Sequence, residues 1–446
     1  MLKQKPLSYL MLWVSLMAYA AMAYGVPRHE TALLFALYFL LFAIYLWVLK
    51  TASDNEVKFW IAASVLWRLS MLLATPALSD DVYRFIWDGR LLANGYHPFA
   101  ELPGYYLQKG FDIPGIGQSL YSQLNSPHYF SIYPPFAQYI FWASAVVSPQ
   151  SALGSMVVMR VFIIAAEVGG IFLLQALLER FNAGKKNTLI YALNPLVVIE
   201  LTGNLHFEAF VVFFLLLALY LLVHAKVWQA GVAFAFSIAS KLLPAIFLPL
   251  FLIRLGLKRS LIFYGLVLMA TGLLSFPLLD GGALPGLGES FALYFKKFEF
   301  NASIYYLVRE YGFWAYGYNI IQTAGWKLGL VSTIFILVVS FWPFRPVDNG
   351  RALSDVPLTM MWALLAYFLF TTTLHPWYIA PLLMLSVFTK YRFVVVWTAM
   401  VFLTYAGYTA TGFSENLYLV LLEYVVVIGY LVYEWIWKKA RPSFCF

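Results

Sequence analysis

TALLFALYFLLFAIYLWVL, Thr31 to Leu49, runs for nineteen positions without a charge. As an α-helix rising 1.5 Å per residue it would be about 28 Å long, close to the ~30 Å hydrocarbon thickness of a bilayer. A second such run, Leu7 to Val26, precedes it. Others follow at 58–78, 134–149, 155–178, 188–202, 206–223, 228–253, 260–279, 315–342, 356–374, 376–389, 393–411 and 417–437. Lipid cannot satisfy backbone N–H and C=O groups, so these runs must be helices. The reading is an all-α polytopic membrane protein with one continuous domain over residues 1–446. Composition agrees: 62% of residues are hydrophobic and 11% charged, with mean hydropathy +0.77, whereas soluble domains carry about 25% charge. Lys3 and Lys5 before Leu7–Val26, with small residues at Ala18, Ala20 and Ala23, look like a signal peptide. The second run follows at once, which favours an uncleaved first span.

A net charge of +8 suggests nucleic acid, but the basic residues sit in short loops beside apolar runs, the pattern of cytoplasmic loops facing anionic lipid. Nucleic-acid binding is excluded. Lys3/Lys5, Lys50/Lys58, Arg254/Lys258/Arg259, Arg345/Arg351, Lys390/Arg392 and Lys438/Lys439/Arg441 share one side if both termini are inside, which requires an even number of spans. Fourteen spans put Arg180, Lys185 and Lys186 outside. Twelve put them inside, with 134–149 not spanning and 188–223 forming one broken crossing, so the charge rule favours twelve. In both versions the polar stretches 79–133 and 280–313 fall on the non-cytoplasmic side. The inner loops are short and carry no glycine-rich phosphate fingerprint, so an activated substrate is expected to arrive within the membrane. The single cysteine, Cys445, excludes a disulfide framework and a thiolate or cysteine-metal centre.

The chemistry concentrates where the third run ends, in Ser79-Asp80-Asp81-Val82-Tyr83-Arg84-Phe85-Ile86-Trp87-Asp88-Gly89-Arg90, followed by Asn94-Gly95-Tyr96-His97-Pro98-Phe99. One of two adjacent carboxylates can act as a base on a hydroxyl while the other positions a partner or a cation. The competing reading is a helix cap at Ser79 or Asp80. Polar groups inside apolar runs are functional hypotheses in their own right: Glu167, Asn204, His206, Glu208, Lys241 and His375. Lys241 either meets an anionic phosphate or forms a buried ion pair with Glu167 or Glu200. His206 and Glu208 lack further ligands at zinc spacing, so a hydrogen-bonded cluster is favoured over a metal site. Glu167 is taken as structural.

The stretch Asp81 to Arg90 resembles the first external loop of the GT-C superfamily of glycosyltransferases, and most of all that of bacterial polyprenyl-phosphate-mannose-dependent mannosyltransferases. Their loop reads like Asp-x-Tyr-Arg-Tyr-x-Trp-Asp-Gly-Arg and then Gly-x-Asn-Pro-Tyr. Here Phe85 replaces a Tyr, and His97-Pro98-Phe99 replaces Asn-Pro-Tyr. Ser131-Ile132-Tyr133-Pro134-Pro135, Asn194-Pro195-Leu196 with Gly203-Asn204-Leu205-His206-Phe207-Glu208, Ala239 to Pro244, Phe298 to Ser303 and His375-Pro376-Trp377-Tyr378 correspond in order.

The resemblance implies a GT-C-like bundle of about 12–14 transmembrane helices with interfacial helices in 79–133 and 280–313. In such proteins the Tyr-Pro-Pro helix crosses the membrane, which moves the count back towards fourteen. It further implies transfer of a sugar, expected to be mannose, from a polyprenyl-phosphate donor to a hydroxyl of a glycan, glycolipid or protein, with inversion. The site would face outward from a bacterial cytoplasmic (inner) membrane. Asp81 or Asp80 would be the base, and Lys241, Arg84 and Arg90 would hold the donor phosphate. Trp87, Asp88, His97, Tyr133, Asn204, His206, Glu208, His375, Trp377 and Tyr378 would line the substrates. No cofactor is required, although paired carboxylates are compatible with a divalent cation. The rival classes are a secondary transporter or lipid flippase, which gives no account of the carboxylate-rich loop, and an inactive scaffold.

Overall fold

The computed structural model describes residues 6–279, 286, 288, 298–342 and 353–440. Lys3, Lys5, Arg345, Arg351, Arg441, Cys445 and most of 280–297 lie outside the described residues, as do the side chains of Lys438 and Lys439.

The chain is helical almost throughout. Its principal helices are α1 Pro6–Tyr24, α2 Thr31–Thr51, α3 Val57–Ser70, α4 Asp81–Ala93, α5 Pro135–Val147 and α6 Ala152–Arg180. They continue as α7 Pro195–Gly203, α8 Glu208–Val223, α9 Val227–Ser240, α10 Leu243–Leu255 and α11 Leu257–Leu278. The last are α12 Ile304–Tyr316, α13 Ile321–Phe341, α14 Val356–Phe370, α15 Pro376–Ser386, α16 Phe393–Gly407 and α17 Leu417–Ala440. Among the described residues six helices (α1, α2, α6, α11, α13 and α17) are long and apolar enough to cross a bilayer on their own. The pair α7 and α8 passes the same test together, bent by 111°. Shorter apolar helices pack between them, and the protein is an all-α polytopic membrane protein. Regular strand is confined, among the described residues, to a hairpin of Tyr408–Thr409 with Gly412–Phe413.

Two ends can be told apart. At one, Tyr24 donates to the Ser70 carbonyl at 2.9 Å, Arg28 pairs with Asp80, and Asn204 accepts the Leu78 N–H. At the other, Phe181 meets Phe388 at 5.8 Å, and Glu434 near the end of α17 accepts the Arg392 and Phe393 N–H groups. Arg180, Lys185 and Lys186 therefore share an end with Lys390 and Arg392, as the charge pattern asks. Helix α6 runs the full distance: Arg160 in its first third binds the Leu72, Thr202 and Gly203 carbonyls at 2.8–3.1 Å.

Two sequence expectations change. The run 134–149, implied to be a crossing, forms α5 and stays at the α4 end, feeding α6 through Ser148–Ser151. It is short, and it lies on α4 because Gly89 has no side chain: a Cβ there would come within 2.6 Å of the Phe141 carbonyl carbon. The run 228–253 is two arms, not one. Helix α9 stops at Ser240, Lys241 is extended at φ −161° and ψ 136°, and α10 folds back so that Phe251 faces Phe234 at 5.3 Å. Pro244 stands in the first turn of α10, where its missing N–H costs nothing, whereas inside a continuous helix it would break the ladder.

The interior is pinned by ions as well as by packing. Arg68 and Glu167 are both fully buried. The guanidinium spends Nε and Nη2 on one Glu167 oxygen at 3.0 and 2.9 Å, and Nη1 on the Ser64 and Ala192 carbonyls. Thr202 donates to the other carboxylate oxygen. Glu167 thus joins α3, α6 and α7, and removing one member of such a pair costs about 3–5 kcal/mol.

Candidate active site

The site is built around the first turn of α4. Ser79 Oγ accepts the Asp81 N–H at 3.3 Å, so the serine takes the part of the local cap. Asp80 occupies the N-cap position without a side-chain cap bond; its carboxylate instead meets Arg28 at 2.7 Å. Asp81 accepts 2.6 Å from Asn125 Nδ2. Neither acid is used up in starting the helix. Asp81 is half-buried, and that desolvation pushes its carboxyl above the ordinary carboxylate value. The Asn125 hydrogen bond and the Lys241 charge pull the other way, while Glu208 and Asp80 add to the rise.

Lys241 pairs with Glu208, the first residue of α8, and lies 3.9 Å from the centroid of the Tyr378 ring. Its expected partners Glu167 and Glu200 are engaged elsewhere. The glutamate side chain is 2% exposed and the lysine 28%, so the ammonium looks out from a buried counter-ion. The turn between α7 and α8 carries Leu205 at φ 62° and presents His206. That ring stacks on Trp377 at 3.6 Å, Trp377 on His375 at 4.5 Å and 1°, and His375 on Phe300 at 4.6 Å. Phe300 is held in this column by backbone bonds to Thr372 and Leu374. Behind it, Glu200 accepts from Tyr405 at 2.6 Å and from Asn204 at 3.3 Å, and lies 3.4 Å from His206 Nε2.

The fold therefore brings Asp80, Asp81, Asn204, His206, Glu208, Lys241, His375, Trp377 and Tyr378 to one end of the bundle. The other residues singled out from sequence take different places. Arg84 is tied to Asp88 at 2.8 Å and to the Tyr129 carbonyl at 2.8 Å; Asp88 also accepts from Ser131 and Gln138. Tyr133 packs edge-on to Phe85 and Phe141. Trp87 is fully buried, 6.0 Å from Tyr121, and Arg90 donates to the Gly115 carbonyl. His97 Nδ1 accepts the Phe99 N–H. Nine residues of helix separate Asp81 from Arg90, about 13 Å along the axis. Sequence reasoning missed Arg28, Asn125, Tyr405 and Tyr408, the last of which lies under Arg28 at 4.6 Å. Each stands in an ordinary loop or apolar context, and only the fold brings it to the acids.

Among the described residues no group of three or more His, Cys, Asp or Glu is placed to hold a metal ion. Asp80 and Asp81 turn to different partners, Arg28 and Asn125, so this acid pair does not form a cation cradle. What is assembled is a half-buried carboxylate with unspent lone pairs, a partly open ammonium and a column of stacked aromatic rings.

An all-α membrane protein with these groups gathered at one polar end has the parts needed for group transfer at a membrane face. Residues 10–256 match the family described as "Alpha-(1->6)-mannopyranosyltransferase, N-terminal domain", and the chain belongs to that family. The protein named Alpha-(1->6)-mannopyranosyltransferase B from Corynebacterium glutamicum is 24% identical over 154 residues, which cover 34% of this chain and 25% of that protein. The match thus spans about a quarter of the relative's length. His375, Trp377 and Tyr378 lie beyond the residues that the family match covers.

Proposed function

We propose that the protein is a mannosyltransferase that takes mannose from a polyprenyl-phosphate donor and passes it, with inversion, to a hydroxyl of a glycan, glycolipid or protein acceptor. The observation that carries this reading is Asp81: a half-buried carboxylate bonded to Asn125, within the field of the Lys241–Glu208 pair. The acceptor oxygen forms the new bond to the anomeric carbon while the bond from that carbon to the phosphate oxygen breaks. The hydroxyl proton goes to Asp81. Lys241, shared between Glu208 and the arriving anion, stabilises the phosphate as it leaves. The stacked column of His206, Trp377 and His375 spends its ring faces on itself and turns ring edges to the sugar. The site works on the membrane side opposite the basic loops, and outward from a bacterial inner membrane.

The test is turnover. Purified protein given radiolabelled polyprenyl-phosphate mannose should release polyprenyl phosphate only when a hydroxyl acceptor is present. Donor consumption without an acceptor, or none under any acceptor, removes the reading. Sidedness has its own assay: a cysteine placed at Glu101 in a Cys445-free background should be labelled from outside the cell, and labelling only from the cytoplasm would overturn the orientation.

A further inference from the structure

Arg90 is 6% exposed, and among the described residues no carboxylate pairs with it. Its Nη1 donates to the Gly115 carbonyl at 2.7 Å. Nε and Nη2 are buried without a partner. These two N–H groups form the side-on edge of the guanidinium, the fork whose spacing fits two oxygens of a carboxylate or phosphate. Burying a charge without a counter-charge is costly, and a buried polar group left open in a native fold needs a reason. One helical turn earlier, on the same face of α4, Trp87 is fully buried and its Nε1–H also has no partner. Gly115 closes over the guanidinium at φ +78°, and a Cβ there would lie 2.9 Å from Arg90 Cδ and 3.0 Å from Nε. A side chain at 115 would crowd the edge that is left open.

We infer that the unpaired Nε–Nη2 edge of Arg90 is a receptor for a phosphate oxyanion, separate from the donor phosphate expected at Lys241. Trp87 supplies a further neutral donor on the same helix face. Arg90 stands nine positions after Asp81 on α4, about 13 Å along the axis, which sets the fork away from the acid at which transfer is proposed. The phosphate belongs either to a phospholipid headgroup or to a free or acceptor-borne phosphate, and the chemistry of the fork is the same for each.

The experiment uses the full-length protein and does not depend on turnover. Thermal stability is measured in uncharged detergent against inorganic phosphate, and in nanodiscs of phosphatidylcholine with and without phosphatidylglycerol. Wild type should be stabilised in a saturable way by phosphate, by phosphatidylglycerol, or by both, which identifies the source. Arg90→Lys keeps the charge and loses the fork, and should weaken the apparent affinity about tenfold, the effect of one lost bidentate hydrogen bond. Gly115→Ala should weaken it with Arg90 intact, so a folding failure of one variant leaves the other informative. Lys241→Met should leave this binding unchanged. Absence of stabilisation by either source, or binding that survives Arg90→Lys and Gly115→Ala but is lost in Lys241→Met, overturns the proposal. A fall in donor affinity in Arg90→Lys matching that of Lys241→Met also overturns it, by making the two phosphates one. A failed turnover assay would reject the transferase reading and leave this result standing.

Discussion

Asp81 and Asp88 stand two turns apart on α4 and are in opposite condition. Asp88 is fully buried and spent: Arg84, Ser131 and Gln138 all donate to it. Asp81 is half-buried and accepts from Asn125. Burial with both oxygens engaged makes an acid into a fixed structural joint, because any change of charge breaks several bonds at once. Burial with lone pairs left over makes a proton acceptor that is raised in energy and ready to take a proton. The same motif thus holds an acid with lone pairs to spare and one engaged by three donors, and adjacent letters do not tell them apart.

The sharpest break of this comparison is Asp81→Asn. Asn keeps the shape and loses the ability to take the proton, so transfer should fall by roughly 10²–10⁴-fold. Because burial raises the Asp81 carboxyl, the ionised form costs folding energy above the ordinary carboxylate value, and this variant should melt at the same or a higher temperature near neutral pH. Radiolabel transfer and a thermal melt on one preparation check both halves. Loss of transfer together with loss of folding would place Asp81 with Asp88 instead.

Asp88→Ala should do the reverse. It strands Arg84 without its counter-ion inside the 79–133 loop, at a cost of about 3–5 kcal/mol. The melting temperature should drop clearly, and activity should fall only in step with the folded fraction. Arg84→Met, which leaves Asp88 charged and uncompensated, should destabilise comparably. A stable Asp88→Ala protein with no turnover would move Asp88 into the chemistry.

The unequal legibility of the two regions has a physical cause. Apolar runs report membrane helices because lipid leaves the backbone one solution, so the class of fold follows from runs such as Thr31–Leu49 directly. Where helices turn is less visible. The break at Lys241 and the short α5 depend on polar partners and on a single glycine contact, Gly89 against Phe141. In the site, Asp81, Lys241 and His206 announce themselves as polar residues in apolar surroundings. Arg84 and Arg90 carry the same charge as Lys241, but Asp88, close in sequence, neutralises the first, while the second meets a neutral carbonyl at Gly115, a loop away. Asn125 and Arg28 give no signal, since their importance is wholly a matter of what they touch.

A milder perturbation sharpens the comparison through pH. If Asp81 must be ionised to accept the proton, the rate should fall on acidification at a pH above that of an unperturbed carboxylate, since burial raises its value. Asn125 favours the ionised form, so Asn125→Ala should push that acid limb to still higher pH. Asp80 disfavours it, so Asp80→Asn should move the limb down. Opposite shifts in the two variants, read from pH–rate profiles of turnover, support Asp81 as the titrating group; a limb unmoved by both points to another acid.

The smallest effect expected is at Tyr378. Its ring lies 3.9 Å from the Lys241 ammonium, and a partly exposed contact of this kind is worth roughly 0.5–1 kcal/mol. The ring and Glu208 both attract Lys241, and they differ in what they do to an arriving phosphate. Glu208 competes with the phosphate for the ammonium, while the neutral ring holds the ammonium in place without opposing the anion. Tyr378→Leu should then raise the donor KM about two- to fivefold with kcat nearly unchanged. Tyr378→Phe, which keeps the ring face, should sit closer to wild type. Glu208→Gln removes the competing charge and should shift the donor KM in the opposite direction. If Tyr378→Phe and Tyr378→Leu behave alike, the hydroxyl and not the ring is what matters at this position, and the ring contact has no part in holding Lys241 for the donor.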